Sequence, residues 1–149
     1  MATEYTGTGD PVRSMELLWG SEDGTVKRGP RPKLRMADVV RTAIAVADRN
    51  GLAALSMRRL AEELGVTAMS LYTYVPGKGE LLDLMTDAVC AETARPEPGD
   101  RTWRDRLTQI ARENWALYHR HPWLLQVATS RPVLGPNLVA KYDYELRAI

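Results

Sequence analysis

The chain has 149 residues, 44% of them hydrophobic and 26% charged, which is the make-up of one ordinary globular domain or two small ones. No apolar run approaches the roughly 18 residues of a membrane-spanning helix. MATEYTGTGDPVRSM has neither the basic start nor the apolar stretch of a secretory signal, and the single cysteine, Cys90, excludes an internal disulfide framework and fits a reducing cytoplasm. The net charge of +1 conceals an uneven distribution: residues 1–26 carry −4, residues 27–80 carry +5 and residues 81–149 are neutral. A basic module between an acidic tail and a neutral body suggests a polyanionic partner for the middle, although a solvated charged face has the same composition.

In chain order, residues 1–35 read as a flexible tail rich in Gly, Thr, Ser and Pro, and RGPRPK cannot be helical with Pro30 and Pro32 inside it. MELLWG, residues 15–20, is an apolar island in that tail; either it docks on the body or Met15 is the true start of translation. From Met36 the pattern is helical, with Val40, Ala43, Ile44 and Ala47 recurring on one face and Asn50-Gly51 as the stop. Ser56 is a suitable N-cap for MRRLAEEL, Gly65 ends that helix, Thr67 caps a short AMSLYTY helix, and Pro76-Gly77 breaks it. A longer helix follows with Leu81, Leu84, Met85 and Ala88 on one face and Cys90 as a small buried hydrophobe, and PEPGD at 96–100 reads as a linker. Next come an amphipathic helix WRDRLTQIARENWALYH, a short helix in PWLLQVAT, a loop bracketed by Pro132 and Pro136, and a helix LVAKYDYELRAI capped by Asn137. No β-strand is expected. The pattern stops without a C-cap, as in a protein cut short.

The middle of the chain is therefore two short helices joined by a turn at Gly65-Val66 and preceded by a longer one, the layout of a helix-turn-helix in a three-helix cluster. Ala61 is small where the helices cross, and Val66 and Leu71 fill the core beneath. The outward face of the second helix is then drawn from Thr67, Ala68, Met69, Ser70, Thr73 and Tyr74. Small residues let a helix approach base edges, Ser and Thr bond donors or acceptors, and methyl or thioether groups can meet a thymine methyl. Tyrosine hydroxyls and the Lys78 ammonium suit phosphate oxygens, and Lys78 opens the next helix, where free N–H groups also favour an anion.

LSMRRLAEELGVTAMSLYTYVPGKGELLDLM resembles the DNA-binding domain of the TetR family of bacterial transcriptional regulators. The resemblance rests on Ala61, Leu64-Gly65-Val66, Leu71-Tyr72, Tyr74-Val75, Lys78 and Leu81-Leu82 at the family's spacing, and spans residues 36–94. A weaker one, to the ligand-binding half of the tetracycline-repressor-like, actinobacterial branch, lies in RPVLGPNLVAKYDYELRA. Carried over, it implies that Arg58 reaches a base, that Ala68, Met69, Ser70 and Tyr72 face bases, and that Met57, Tyr74 and Lys78 meet the DNA backbone. Met57 departs from the hydroxyl residue common at its position. Tyr72 is equally well a core residue packing on Leu81, and Arg58 a solvated cation. Ahead of the first helix, KRGPRPK places Arg28, Arg31 and Lys33 in a basic arm that either enters a minor groove or serves as a solubilising tail.

In the second half, Trp103, Trp115, Tyr118, Trp123 and Leu124 are candidate ligand-pocket residues, although helical spacing also suits most of them to a core. His119 and His121 lie two apart on a helix and point to different faces, so no metal site is expected. The tetracycline repressors place a magnesium-holding histidine just before this loop region; alignment on Arg131-Pro132 puts it near Val127, which disfavours a tetracycline–magnesium ligand. No cofactor is expected and no motif supports catalysis. The sequence thus points to an all-α protein: tail 1–35, helix-turn-helix domain 36–82, and the first part of a helical ligand-binding and dimerisation domain at 83–149. The implied function is a cytoplasmic, dimeric, ligand-responsive DNA-binding repressor whose partners are duplex DNA and a small-molecule effector. The alternative is a helical protein–protein interaction module that kept the fold without binding DNA.

Overall fold

The computed structural model describes residues 4–20, 34–96, 99, 101–129 and 133–148. Arg28, Arg31 and Lys33, together with Arg131 and Pro132, lie outside the described residues. Within them the architecture is helical: α1 (Pro11–Trp19), α2 (Met36–Asn50), α3 (Met57–Leu64), α4 (Ala68–Tyr72), α5 (Lys78–Cys90), α6 (Trp103–Arg120) and α7 (Pro136–Leu146). One short parallel pair accompanies them, β1 (Glu4–Thr6) beside β2 (Val127–Thr129), with Tyr5 opposite Ala128.

α2, α3, α4 and the first half of α5 share a core in which Val39, Ala43, Val46, Leu60, Leu71, Val75, Leu81 and Met85 are all fully buried. The α2 stripe is rotated slightly from the expected one: Val39 and Val46 enter the core while Ile44 is half-buried. Each fully buried aliphatic side chain stabilises the cluster by roughly 1.5–3 kcal/mol. The polar rim is mostly ion pairs at helical spacing, such as Arg41–Asp38 and Arg58–Glu62, which on an exposed surface are worth about 0–1 kcal/mol.

Residues 4–20 correct the reading of 1–35 as tail. Asp10 caps α1 by accepting hydrogen bonds from the N–H groups of Val12 and Arg13, and Pro11 suits the first turn. The segment is then held by two acids on α5. Gly7 donates its N–H to Asp83 Oδ1 at 2.7 Å, Asp10 donates its N–H to Glu80 Oε1 at 2.8 Å, and Ser14 donates its hydroxyl to Asp83 Oδ2 at 2.9 Å. Trp19 Nε1 donates to the Leu134 carbonyl at 2.7 Å, tying the end of α1 to the loop before α7. The apolar island at 15–20 does dock on the body, with Leu17 and Leu18 packed against the core.

α5 is consequently buried on nearly every side rather than amphipathic: Glu80, Asp83 and Asp87 are buried as well as Leu81 and Met85. Buried carboxylates persist only when hydrogen-bonded, and each has its partners. Asp87 accepts from Leu138 N–H at 2.8 Å and from Asn137 Nδ2 at 2.9 Å. The cap of α7 therefore comes from α5, not from Asn137, which lies inside the helix after Gly135. The expected domain boundary between 82 and 83 falls in the middle of this continuous helix.

Two further expectations change in the second half. PWLLQVAT is not a short α-helix but a 3-10 turn at Pro122–Gln126 followed by β2, and β2 exists because β1 pairs with it. His121 is buried between two acids, Nδ1 at 2.8 Å from Asp48 Oδ1 on α2 and Nε2 at 3.1 Å from Glu92 Oε2 just past α5, while Trp123 Nε1 donates to the same Asp48 oxygen at 2.8 Å. This junction pins the end of α6 to α2. Burial works to raise the Glu92 pKa, but hydrogen bonds from Arg120 and His121 outweigh it and hold the carboxyl below its usual range.

Candidate nucleic-acid interface and effector cavity

The two helices at the turn are built by local chemistry. Ser56 Oγ accepts from Arg59 N–H and starts α3. Gly65 sits at φ 66°, in the left-handed region, and its N–H satisfies the Ala61 and Glu62 carbonyls. Two residues on, Thr67 Oγ1 accepts from Ser70 N–H at 3.1 Å and starts α4. With Leu71 fully buried beneath, α4 has one outward orientation.

Met69, at 78% exposure the most accessible of the large apolar side chains described, stands at the centre of the outward face. Tyr72 is exposed and not a core residue against Leu81. Thr67 and Thr73 are exposed, while Ala68, Ser70, Tyr74 and Lys78 are half-buried, with Ala68 and Tyr74 packed against the core. Thr73 also donates its hydroxyl to the Ser70 carbonyl at 2.6 Å, which orients it back along the helix. Arg58 projects from the start of α3 with an 87% exposed side chain, paired with its neighbour Glu62 at 3.1 Å. Met57 is different: it is buried in the core, so its thioether presents nothing outward.

A second feature lies on the far side of α5. A cavity of about 560 Å³ is enclosed by Thr86 and Cys90 of α5, Asn114, Leu117 and Tyr118 of α6, Leu138, Lys141, Tyr142 and Glu145 of α7, and by Thr6, Leu124, Val127 and Val133. Its volume is in the range of small-molecule sites. The Cys90 thiol on its wall is pushed up to about 11 by burial, partly opposed by Lys141, so it is a neutral surface rather than a nucleophile. Of the four aromatic residues that sequence suggested for a pocket, Tyr118 lines this cavity and three do not. Trp103 is half-exposed at the start of α6 beneath Arg104, Trp115 is 70% exposed beside His119, and Trp123 is buried in the core at Asp48. The amphipathic period of α6 places Trp103 and Trp115 on the outer face. A smaller cleft of about 200 Å³, lined by Arg95, Arg106 and Arg147 with Asp143, sits at the end of α7.

Sequence reasoning missed the cavity's polar residues Thr86, Asn114, Lys141 and Glu145. A signal was present in α7, where Leu138, Lys141, Tyr142 and Glu145 share one helical stripe, so that a charged pair occupies positions an apolar core would fill. His119 and His121 diverge, and no group of three or more metal-ligating side chains occurs among the described residues. No helix among them is long and apolar enough to cross a membrane.

Two short helices hinged on a left-handed glycine, seated on a third helix and followed by a helical unit around a cavity, define a helix-turn-helix protein with an appended cavity domain. The chain belongs to the TetR family. The model of the bacterial regulatory proteins, tetR family, matches residues 39–85, and that of the tetracyclin repressor-like C-terminal domain matches residues 95–149. The transcriptional repressor DrrR1 of Streptomyces coeruleorubidus is 55% identical over 137 residues, covering 91% of this chain and 50% of that protein. ActR of Streptomyces coelicolor, in complex with actinorhodin, superposes with a TM-score of 0.71 at 34% identity, over 79% of this chain and 55% of that one. BioQ with its double-stranded DNA operator superposes with a TM-score of 0.62 at 28% identity, over 78% of this chain and 70% of that one. The chain spans about half the length of the curated relatives it matches. Those relatives carry the names of transcriptional regulators and repressors, not of enzymes.

Proposed function

We propose that this chain is the operator-reading half, with part of the effector-binding half, of a ligand-responsive transcriptional repressor that works in the cytoplasm as a homodimer. The observation that carries the reading is the outward face of α4, where Met69 stands at 78% exposure above a fully buried Leu71. In this reading α4 lies in the major groove, with Ala68, Met69, Ser70 and Tyr72 toward base edges and Arg58 reaching a base from α3. Thr67, Thr73, Tyr74 and Lys78 contact sugar and phosphate, and Arg28, Arg31 and Lys33 reach the adjacent minor groove. A relative bound to its operator and another bound to actinorhodin support the two halves of the assignment. A small molecule in the cavity then favours a half-site spacing that no longer fits the operator.

The test is selection from a random duplex pool at moderate salt, followed by sequencing of the retained DNA. An enriched palindrome or half-palindrome supports the reading. Lys78→Ala is expected to lower affinity for that sequence about tenfold, the scale of one lost charge-assisted phosphate contact. Absence of enrichment both from this chain and from a longer one that extends past its C-terminus, or affinity insensitive to salt, would replace DNA by a protein partner docking on the exposed Met69 face.

A further inference from the structure

The smaller cleft gathers charge of one sign. It measures about 200 Å³ and is walled by Arg95 and Pro96 beyond α5, Arg106 in the first turn of α6, and Asp143, Tyr144 and Arg147 at the end of α7. None of these residues lines the larger cavity. At the other end of α6, His121 rests on Asp48 of α2. With a rise of about 1.5 Å per residue from 106 to 121, the cleft lies roughly 22 Å from that junction, remote from the DNA-reading unit.

Three guanidinium groups against one carboxylate give this lining an excess of positive charge, and arginine does not shed its proton. Arg147 and Asp143 pair with each other at 2.9 Å, so the uncompensated charge is that of Arg95 and Arg106. Arg95 is fixed in place: its Nη2 donates to the Cys90 carbonyl at 3.0 Å and to the Asn137 carbonyl at 3.1 Å, where α5 ends and α7 begins. The Tyr144 hydroxyl donates to the Pro96 carbonyl at 3.2 Å and holds the loop beside it. The Nε groups of Arg95 and Arg106 are both buried with no hydrogen-bond partner among the described residues. A buried donor without an acceptor is costly, as are two unpaired cations in one cleft, and a single anion between them relieves both.

We propose that this cleft is a binding site for a compact doubly charged oxyanion of the phosphate class, taken either as inorganic phosphate or as the phosphate group of a small metabolite. Two uncompensated guanidinium groups match two negative charges, and the planar fork of N–H donors meets phosphate oxygens two at a time. The volume falls below the roughly 300–1,000 Å³ of sites for larger ligands, which suits a phosphate with few atoms attached and not a nucleotide. Bound there, the anion ties the loop after α5, the start of α6 and the end of α7 together, and Asp143 competes with it for Arg147.

Calorimetric titration of the 149-residue chain at constant ionic strength tests it, with inorganic phosphate, methyl phosphate and nitrate as probes. At about pH 8 the first two are dianions and nitrate is a monoanion. Both phosphates are expected to bind one saturable site at least about tenfold more tightly than nitrate, and the tighter of the two tells free phosphate from a phosphate ester as the source. Arg106→Gln should weaken phosphate binding at least about tenfold. Arg101→Gln removes an equal charge just ahead of α6 but outside the lining, and should change it by less than about twofold. Asp143→Asn frees Arg147 and should strengthen binding by up to about fivefold, a gain that no loss of folding imitates. Equal losses in the two arginine variants, nitrate binding as tightly as phosphate, or no saturation by about 10 mM phosphate would overturn the site. So would loss of binding in a longer chain extending past this C-terminus, because a neighbouring carboxylate would then hold the arginines.

Discussion

Gly79→Ala tests the docking of the N-terminal segment through a change of sign. Gly79 lies in the first turn of α5, where a Cβ would stand 2.9 Å from the Gly9 backbone nitrogen and 3.3 Å from its Cα. Backbone cannot rotate aside as a side-chain tip can, so residues 7–14 must lift. The three hydrogen bonds from Gly7, Asp10 and Ser14 to Asp83 and Glu80 lengthen or break. Bonds to charged groups contribute about 1.5–3 kcal/mol each, much of it offset by the entropy of ordering the segment, so the net loss expected is about 1–2 kcal/mol. Against this, alanine is the better helix former by up to about 1 kcal/mol, and less in a first turn. In the full chain the substitution should therefore lower the urea midpoint and speed amide exchange in residues 4–20. In a chain lacking residues 1–20 the clash is gone, and the same substitution should raise the midpoint. A shift of the same sign in both backgrounds would refute the docking geometry.

Leu71→Ala removes a fully buried side chain at the base of the helix-turn-helix and should cost about 2–5 kcal/mol by chemical denaturation. Asp87→Ala deletes the acceptor for Leu138 and Asn137 and should cost about 1–2 kcal/mol, with exchange protection lost first at the start of α7. Glu92 has its carboxyl pKa held low in the folded chain, so its contribution is fully present above the unfolded value near 4.5 and is lost as pH falls through the folded value. Urea midpoints of wild type and Glu92→Gln should accordingly differ above pH 4.5 and converge below it; a constant difference would show that ionisation of this group does not matter.

The helix-turn-helix was readable because each of its devices is local. Ser56, Gly65 and Thr67 act within three or four positions of themselves, and the 3.6-residue period of apolar side chains selects the buried face. What could not be read depends on partners distant in the chain. Glu80, Asp83 and Asp87 look like a solvent face until residues 7–14 and the start of α7 are laid over them. β2 has no strand signature of its own and becomes one only opposite β1. For the same reason Trp115, suggested as a pocket residue, points outward, while Lys141, which composition assigns to the surface, is inside. Periodicity identifies a face; it does not say what covers it.

The clasp of the N-terminal segment also sets an order of assembly during synthesis. Its first attachment joins Gly7 to Asp83 across 76 positions, and the tie from Trp19 to Leu134 spans 115. At roughly 5–20 residues per second the two attachments become available several seconds apart. α1 can settle on α5 as soon as α5 has left the ribosome, covering Glu80 and Asp83 and at the same time supplying their hydrogen-bond donors. β1 must wait, unpaired, until residues 127–129 emerge. A chain halted before Val127 would thus carry a folded helix-turn-helix with α1 in place and an open strand edge, which closes only when residues 127–129 come to lie beside residues 4–6.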